Sequence, residues 1–124
     1  MATVTGIGGF FFRSKDPGAL ALWYEDHFGI LQVPSDYGGA VWRQEAGVTV
    51  FAPFPEDTGM FGAPDRQFML NFRVPDLPEA VEDLRAAGIS VEVDPETYPN
   101  GVFASLTDPE GNPIQLWEPR GPEA

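Results

Sequence analysis

Phe12-Arg13-Ser14-Lys15-Asp16 and Phe72-Arg73-Val74-Pro75-Asp76 share the pattern Phe-Arg-x-x-Asp at an offset of 60 residues. In both, an apolar run ends and an Asp stands where a helix can begin, its carboxylate able to accept from the free amides of the first turn. Pro17 follows the first Asp at a position that needs no amide donor. Glu79 lies three residues after the second Asp and makes it a capping box. Further on, Gly29-Ile30 and Gly88-Ile89 repeat at an offset of 59, each glycine a left-handed stop. Between cap and stop, Leu20, Trp23, Tyr24, His27 and Phe28 recur at three- and four-residue spacing, as do Leu77, Ala80, Val81 and Leu84. Two helices follow from this spacing.

Strands flank them. Ile7 to Arg13 precedes the first helix; Ile30 to Val33, Ala40 to Gln44 and Val48 to Phe51 follow it, with Gly38-Gly39 and Ala46-Gly47 as turns. Phe68 to Val74 precedes the second helix; Ile89 to Val93, Val102 to Thr107 and Ile114 to Glu118 follow, with turns at Asn100-Gly101 and Glu110-Gly111. Each half therefore reads strand, helix, strand, strand, strand. The expectation is an α+β fold of two tandem βαβββ modules whose curled mixed sheets enclose a cleft. They form one domain: module one at 1–52, a connector at 53–67 with ordered aromatic contacts (Phe54, Phe61), module two at 68–119 and a short tail at 120–124. Neither half is long enough to bury much core alone.

Composition narrows the partners. The net charge of −12, from 19 acids against 7 Lys and Arg, is unsuited to neutralising phosphates, so no nucleic acid is expected. With no cysteine there is no disulfide framework, thiolate metal site or thiol nucleophile. No apolar run approaches the roughly 18 residues of a membrane span, and Met1 to Phe12 lacks a basic leader and cleavage site. A soluble, cytoplasmic protein with no membrane partner is the expectation.

The stretch Asp108-Pro109-Glu110-Gly111-Asn112-Pro113-Ile114-Gln115-Leu116-Trp117-Glu118-Pro119 resembles the closing turn and strand of the glyoxalase/bleomycin-resistance/dioxygenase (vicinal oxygen chelate) superfamily. Trp23-Tyr24 through Phe28-Gly29 resembles that family's aromatic pair before a helix stop, and the repeated module covers nearly the whole chain. Metal-dependent members place a His on the first strand of each half and a Glu on the last. On this chain the resemblance maps those positions to Gly9, Met69 and Gln115, with a fourth near Thr49 or Phe51. Glycine offers no ligand, a thioether is too soft for a hard cation, and the Gln115 amide carries no charge. The usual metal site is therefore expected to be absent. No cofactor is expected, and cation-dependent isomerisation or ring cleavage is disfavoured. His27, the only histidine, falls on the first helix near its C-terminus and reads as structural.

Side chains two apart on a strand share a face. The positions that would hold the metal group with Phe11 and Arg13, with Met69, Asn71 and Arg73, with Phe51, and with Gln115 and Trp117; Trp42 and Gln44 join the rim. The opposite parity (Phe10, Phe12, Leu70, Phe72, Ile114, Leu116) is uniformly apolar and suits packing under helices. The candidate ligand-binding set is thus Phe11, Arg13, Trp42, Phe51, Met69, Asn71, Arg73, Gln115 and Trp117, an apolar enclosure with a few polar groups. The alternatives are plainer: aromatics that fill the cleft or a dimer interface, and arginines paired with surface acids. Arg13 and Arg73, if opposed, would need an anion or a carboxylate (Glu45 or Glu118) between them. Asp108-Pro109-Glu110-Gly111 is a turn and not an acid–base pair. No nucleophilic triad is discernible, and Gly6-x-Gly8-Gly9 precedes no helix.

Three functions remain. One is a metal-free protein binding a small molecule in an aromatic cleft, where the negative charge would suit a cationic, partly aromatic guest without requiring one. Another is a non-standard lyase, isomerase or dioxygenase-like enzyme acting on a small anionic substrate, with no evident catalytic residue. The last is a protein-interaction module with a filled cleft. A homodimer is expected from the family resemblance, side by side or with exchanged halves.

Overall fold

The computed structural model describes all 124 residues. Helix α1 spans Pro17–Phe28 and opens as the sequence dictates: Asp16 accepts from the Ala19 amide at 3.2 Å, and Gly29 closes it at φ 70°. Strand β1 (Leu70–Arg73) leads into helix α2 (Leu77–Ala86), where Asp76 accepts from the Glu79 amide at 3.0 Å. At its other end Ile89 donates to Leu84 O and Gly88 to Arg85 O, with Gly88 at φ 84°, a Schellman stop. Strands β2 (Glu92–Val93), β3 (Gly101–Thr107) and β4 (Pro113–Pro119) complete a four-stranded mixed sheet of order β1-β4-β3-β2. β1 runs parallel to β4; the other two pairings are antiparallel. This is one complete βαβββ unit, made entirely by the second half.

One face of the sheet carries the core. Ile114 and Leu116 of β4 are almost wholly buried with Ala104 and Leu106 of β3, against Leu77, Val81 and Leu84 of α2. α1 crosses from the first half onto this same face and buries Leu20 and Tyr24 in the cluster. Its ring contacts run from Trp23 through Tyr24 and Phe28 to Phe72, with centroids 5.0 to 6.2 Å apart. His27 packs against Trp23 with the rings tilted at 59° and centroids 5.2 Å apart, in the last turn of the helix.

The β3–β4 turn clasps the start of α1. Glu110 accepts from Ser14 Oγ at 2.7 Å and from the Lys15 and Asp16 amides at 2.8 and 3.3 Å. Beneath it, buried Asp108 accepts the Tyr24 hydroxyl at 2.7 Å, the amides of Glu110 and Asn112, and the Asn112 side-chain amide. Arg66 reaches in from the connector to Asn112 Oδ1 and Glu110 O, so the connector is tied to the same turn. Phe54 and Phe61 pair within the connector at 5.4 Å.

The first half departs from expectation. Ile7 to Arg13, Ile30 to Val33, Ala40 to Gln44 and Val48 to Phe51 form no hydrogen-bonded strands. Residues 1–13 make no backbone hydrogen bonds and residues 31–51 make one, Gly39 to Asp36 O. Strand propensity describes side chains that suit a pleated surface; the strand itself exists only when a neighbour supplies the other half of each hydrogen bond. Within one chain no such neighbour lies alongside. The second half forms its helix and strands, with β1 and β2 shorter than the propensity runs. Of the first half's expected elements only the helix forms, and Phe10 and Phe12 pack on Phe68.

Candidate ligand-binding face

Pleat alternation turns Asn71 and Arg73 of β1, Phe103 and Ser105 of β3, and Gln115 and Trp117 of β4 away from the helices. Register brings Asn71 opposite Gln115 and Arg73 opposite Trp117. The Asn71 side-chain amide donates to Gln115 Oε1 at 2.7 Å. Phe103 lies parallel to Trp117, centroids 6.1 Å apart at 2°, and Tyr98 meets Phe103 edge-on at 5.8 Å. The Trp117 indole N–H donates to Asn100 O at 2.9 Å, which fixes the ring and ties β4 to the loop before β3.

That loop turns tightly. Tyr98 and Gly101 exchange backbone hydrogen bonds, and Gly101 sits at φ 139° with a would-be Cβ 2.2 Å from Glu118 O. Asp94, half-buried, accepts the Glu96 amide at 3.0 Å on one carboxylate oxygen and the Tyr98 hydroxyl at 2.9 Å on the other. The carboxylate holds the Tyr98 phenol protonated above its ordinary range. Met60, Asp94, Tyr98, Asn100, Phe103 and Gln115 together line a pocket of about 310 Å³. Sequence reasoning missed Met60, Asp94, Tyr98, Asn100 and Phe103. Only Phe103 carried a usable signal, because its strand parity sets it beside Trp117.

Of the nine residues proposed from sequence, Asn71, Arg73, Gln115 and Trp117 share this face, and half-buried Met69 directly precedes β1. Phe11 (92 % exposed), Phe51 (85 %), Trp42 and Arg13 lie in the unpaired first half and do not converge with them. The pairing envisaged between arginines and glutamates takes another form. Arg73 donates to the backbone carbonyl of Glu45 at 2.9 Å and packs so closely on Gly47 that a Cβ there would collide with it. Glu118 shares the parity of Leu116, points to the helix side, and accepts the Leu77 amide at 2.8 Å and Arg120 Nε at 2.8 Å. These bonds hold its carboxyl below the usual range.

The donors here do not fit a hard divalent cation. Gln115 offers only an uncharged amide oxygen, which accepts from Asn71, Gly9 has no side chain, Met69 offers a thioether, and no three His, Asp or Glu side chains converge anywhere in the chain.

A family model described as "Glyoxalase-like domain" matches residues 9–117. The chain belongs to this glyoxalase-like family, within the vicinal oxygen chelate superfamily. The solved structure of TnmS3, an antibiotic binding protein from Streptomyces sp. CB03234, is similar to the glyoxalase-like chain at TM-score 0.65 and 21 % identity, covering 97 % of this chain and 100 % of that one. A glyoxalase family protein from Bacillus anthracis superposes at TM-score 0.52 and 17 % identity over 83 % of this chain and 84 % of that one. A glyoxalase/bleomycin resistance protein from Streptomyces sp. CB03234 is 33 % identical over 40 % of this chain and 42 % of that one, at TM-score 0.36. No curated protein sequence matches the chain. At these identities the first two likenesses speak for the fold, and function must be argued from the face itself.

Proposed function

We propose that this glyoxalase-like protein binds a small organic molecule on the open face of its second-module sheet. It does so without a metal or cofactor of its own, as a homodimer. The observation that carries the reading is the convergence of two aromatics (Tyr98, Phe103) with a few polar groups (Asp94, Asn100, Gln115) around a pocket of about 310 Å³, with Trp117 stacked behind Phe103. Apolar walls with sparse, fixed polar atoms are what small-molecule recognition needs, and this volume suits a guest of one or two rings. The antibiotic-binding description of TnmS3, which shares the fold, agrees with this use of the face. Metal independence rests on the donor chemistry above. The homodimer rests on the unpaired first half, whose strand-forming segments and apolar side chains a second copy would cover, completing the two-module arrangement.

The test is thermal unfolding of the purified chain against a panel of one- and two-ring aromatics, with and without EDTA. Ligands of this face raise Tm progressively with concentration. EDTA leaves the shift unchanged, and Gln115→Ala reduces it. A panel without any shift contradicts ligand binding; near-stoichiometric transition metal in chelator-free protein contradicts metal independence.

A further inference from the structure

We infer that the guest of the Asp94–Tyr98–Phe103 pocket is an aromatic amine carried as a cation, its ring on Phe103 and its ammonium at Asp94. This rests on the reading above that the open face holds a small molecule, and it names the class. Of the six residues that line the pocket, one bears a formal charge, and it is an acid; no Lys or Arg reaches it. Arg73, the cation of this face, donates to Glu45 O, packs on Gly47 and is not among the residues that line the pocket. Arg120 is paired with Glu118.

Asp94 keeps capacity for a guest. Each carboxylate oxygen holds one hydrogen bond, from the Glu96 amide or the Tyr98 hydroxyl, and each has a second lone pair. Those two bonds also fix the carboxylate in place, so an incoming ammonium meets an oriented acceptor. Tyr98 and Phe103 line the same pocket, and an aromatic ring face carries the negative side of the quadrupole, which attracts a cation a second time. Met60 adds a polarizable thioether against an aromatic guest. An anion would meet a fixed carboxylate and π-faces with no compensating donor of opposite charge. At long range the −12 chain enriches cations near its surface and depletes anions.

The experiment is calorimetric titration of the full chain with three probes that share one ring system: 2-naphthylmethylamine (cation), 2-naphthylmethanol (neutral) and 2-naphthoate (anion). The amine is expected to bind at least about tenfold more tightly than the alcohol, and the naphthoate most weakly. Asp94→Asn should abolish the amine's advantage, bringing amine and alcohol to comparable affinity. If Asp94→Asn loses both probes through a disturbed loop, Asp94→Glu decides: retained amine preference supports the assignment and lost preference overturns it. Equal binding of amine and alcohol, or preferred binding of naphthoate, overturns the cation assignment while leaving small-molecule binding intact. If none of the three binds, the small-molecule reading of this face fails with it.

Discussion

Gly101 and Tyr24 show how much rests on single residues. At Gly101 the backbone holds φ 139°, and a Cβ would lie 2.2 Å from Glu118 O and 2.8 Å from the Trp117 indole nitrogen. Gly101→Ala therefore combines backbone strain with a clash against main chain that cannot yield, and should lower stability by about 1–3 kcal/mol in denaturant unfolding. The pocket should suffer too, because the same turn positions Tyr98 and Asn100. Tyr24 places its hydroxyl on buried Asp108, and burial together with that carboxylate pushes the phenol's ionisation well above its ordinary range. Tyr24→Phe keeps the ring and removes one donor from a buried charge, a loss of about 1–3 kcal/mol by the same measurement. A cost near zero would mean that Asp108 is satisfied without Tyr24.

Among the elements, the joint between α1 and the β3–β4 turn has a predictable pH dependence. Glu110 accepts from Ser14, Lys15 and Asp16, and these bonds hold its carboxyl below the ordinary value of 4.5; Glu118, capping α2, is lowered likewise. A carboxyl depressed in the folded chain adds stability that is complete above the unfolded value and fades as pH falls through the folded one. Thermal unfolding should thus show a stable plateau above about pH 4.5 and a steep acid limb below it, and Glu110→Ala should lower the plateau and flatten the limb. A variant whose acid limb matched the parent's would show that the clasp is not what titrates. The second module was legible in the sequence because its signals are local: Asp76 caps, Gly88 stops, Asn100-Gly101 turns, and alternation along β4 sorts Leu116 from Trp117. The first half's strands were equally legible as propensity, yet pairing is not local, and nothing in residues 30–51 says which strand lies alongside. Asp94 and Tyr98 escaped notice because the backbone turn that brings them to the pocket leaves no periodic trace.

For the whole molecule, the distribution of apolar surface is the decisive feature. Sixteen of the eighteen exposed large hydrophobic residues fall within residues 1–60, among them Phe11, Val33, Trp42, Val50 and Phe51. Apolar exposure on that scale, joined to unpaired backbone, marks a surface built to be covered. Light scattering should return about twice the 13.5 kDa chain mass, and Phe51→Lys should shift the population toward monomer without unfolding the second module. A monomer at micromolar concentration would contradict the dimer. The central claim, a ligand on the open sheet face, is tested most directly through the three tryptophan indole N–H signals, assigned by single Trp→Phe variants. Trp117 donates to Asn100 at the pocket wall, whereas Trp23 lies in the aromatic cluster of α1. Titration with 2-naphthylmethylamine or 2-naphthylmethanol should move the Trp117 signal to saturation and leave that of Trp23 in place. A Trp117 signal that stays fixed throughout, or a saturating shift confined to Trp23, would contradict it.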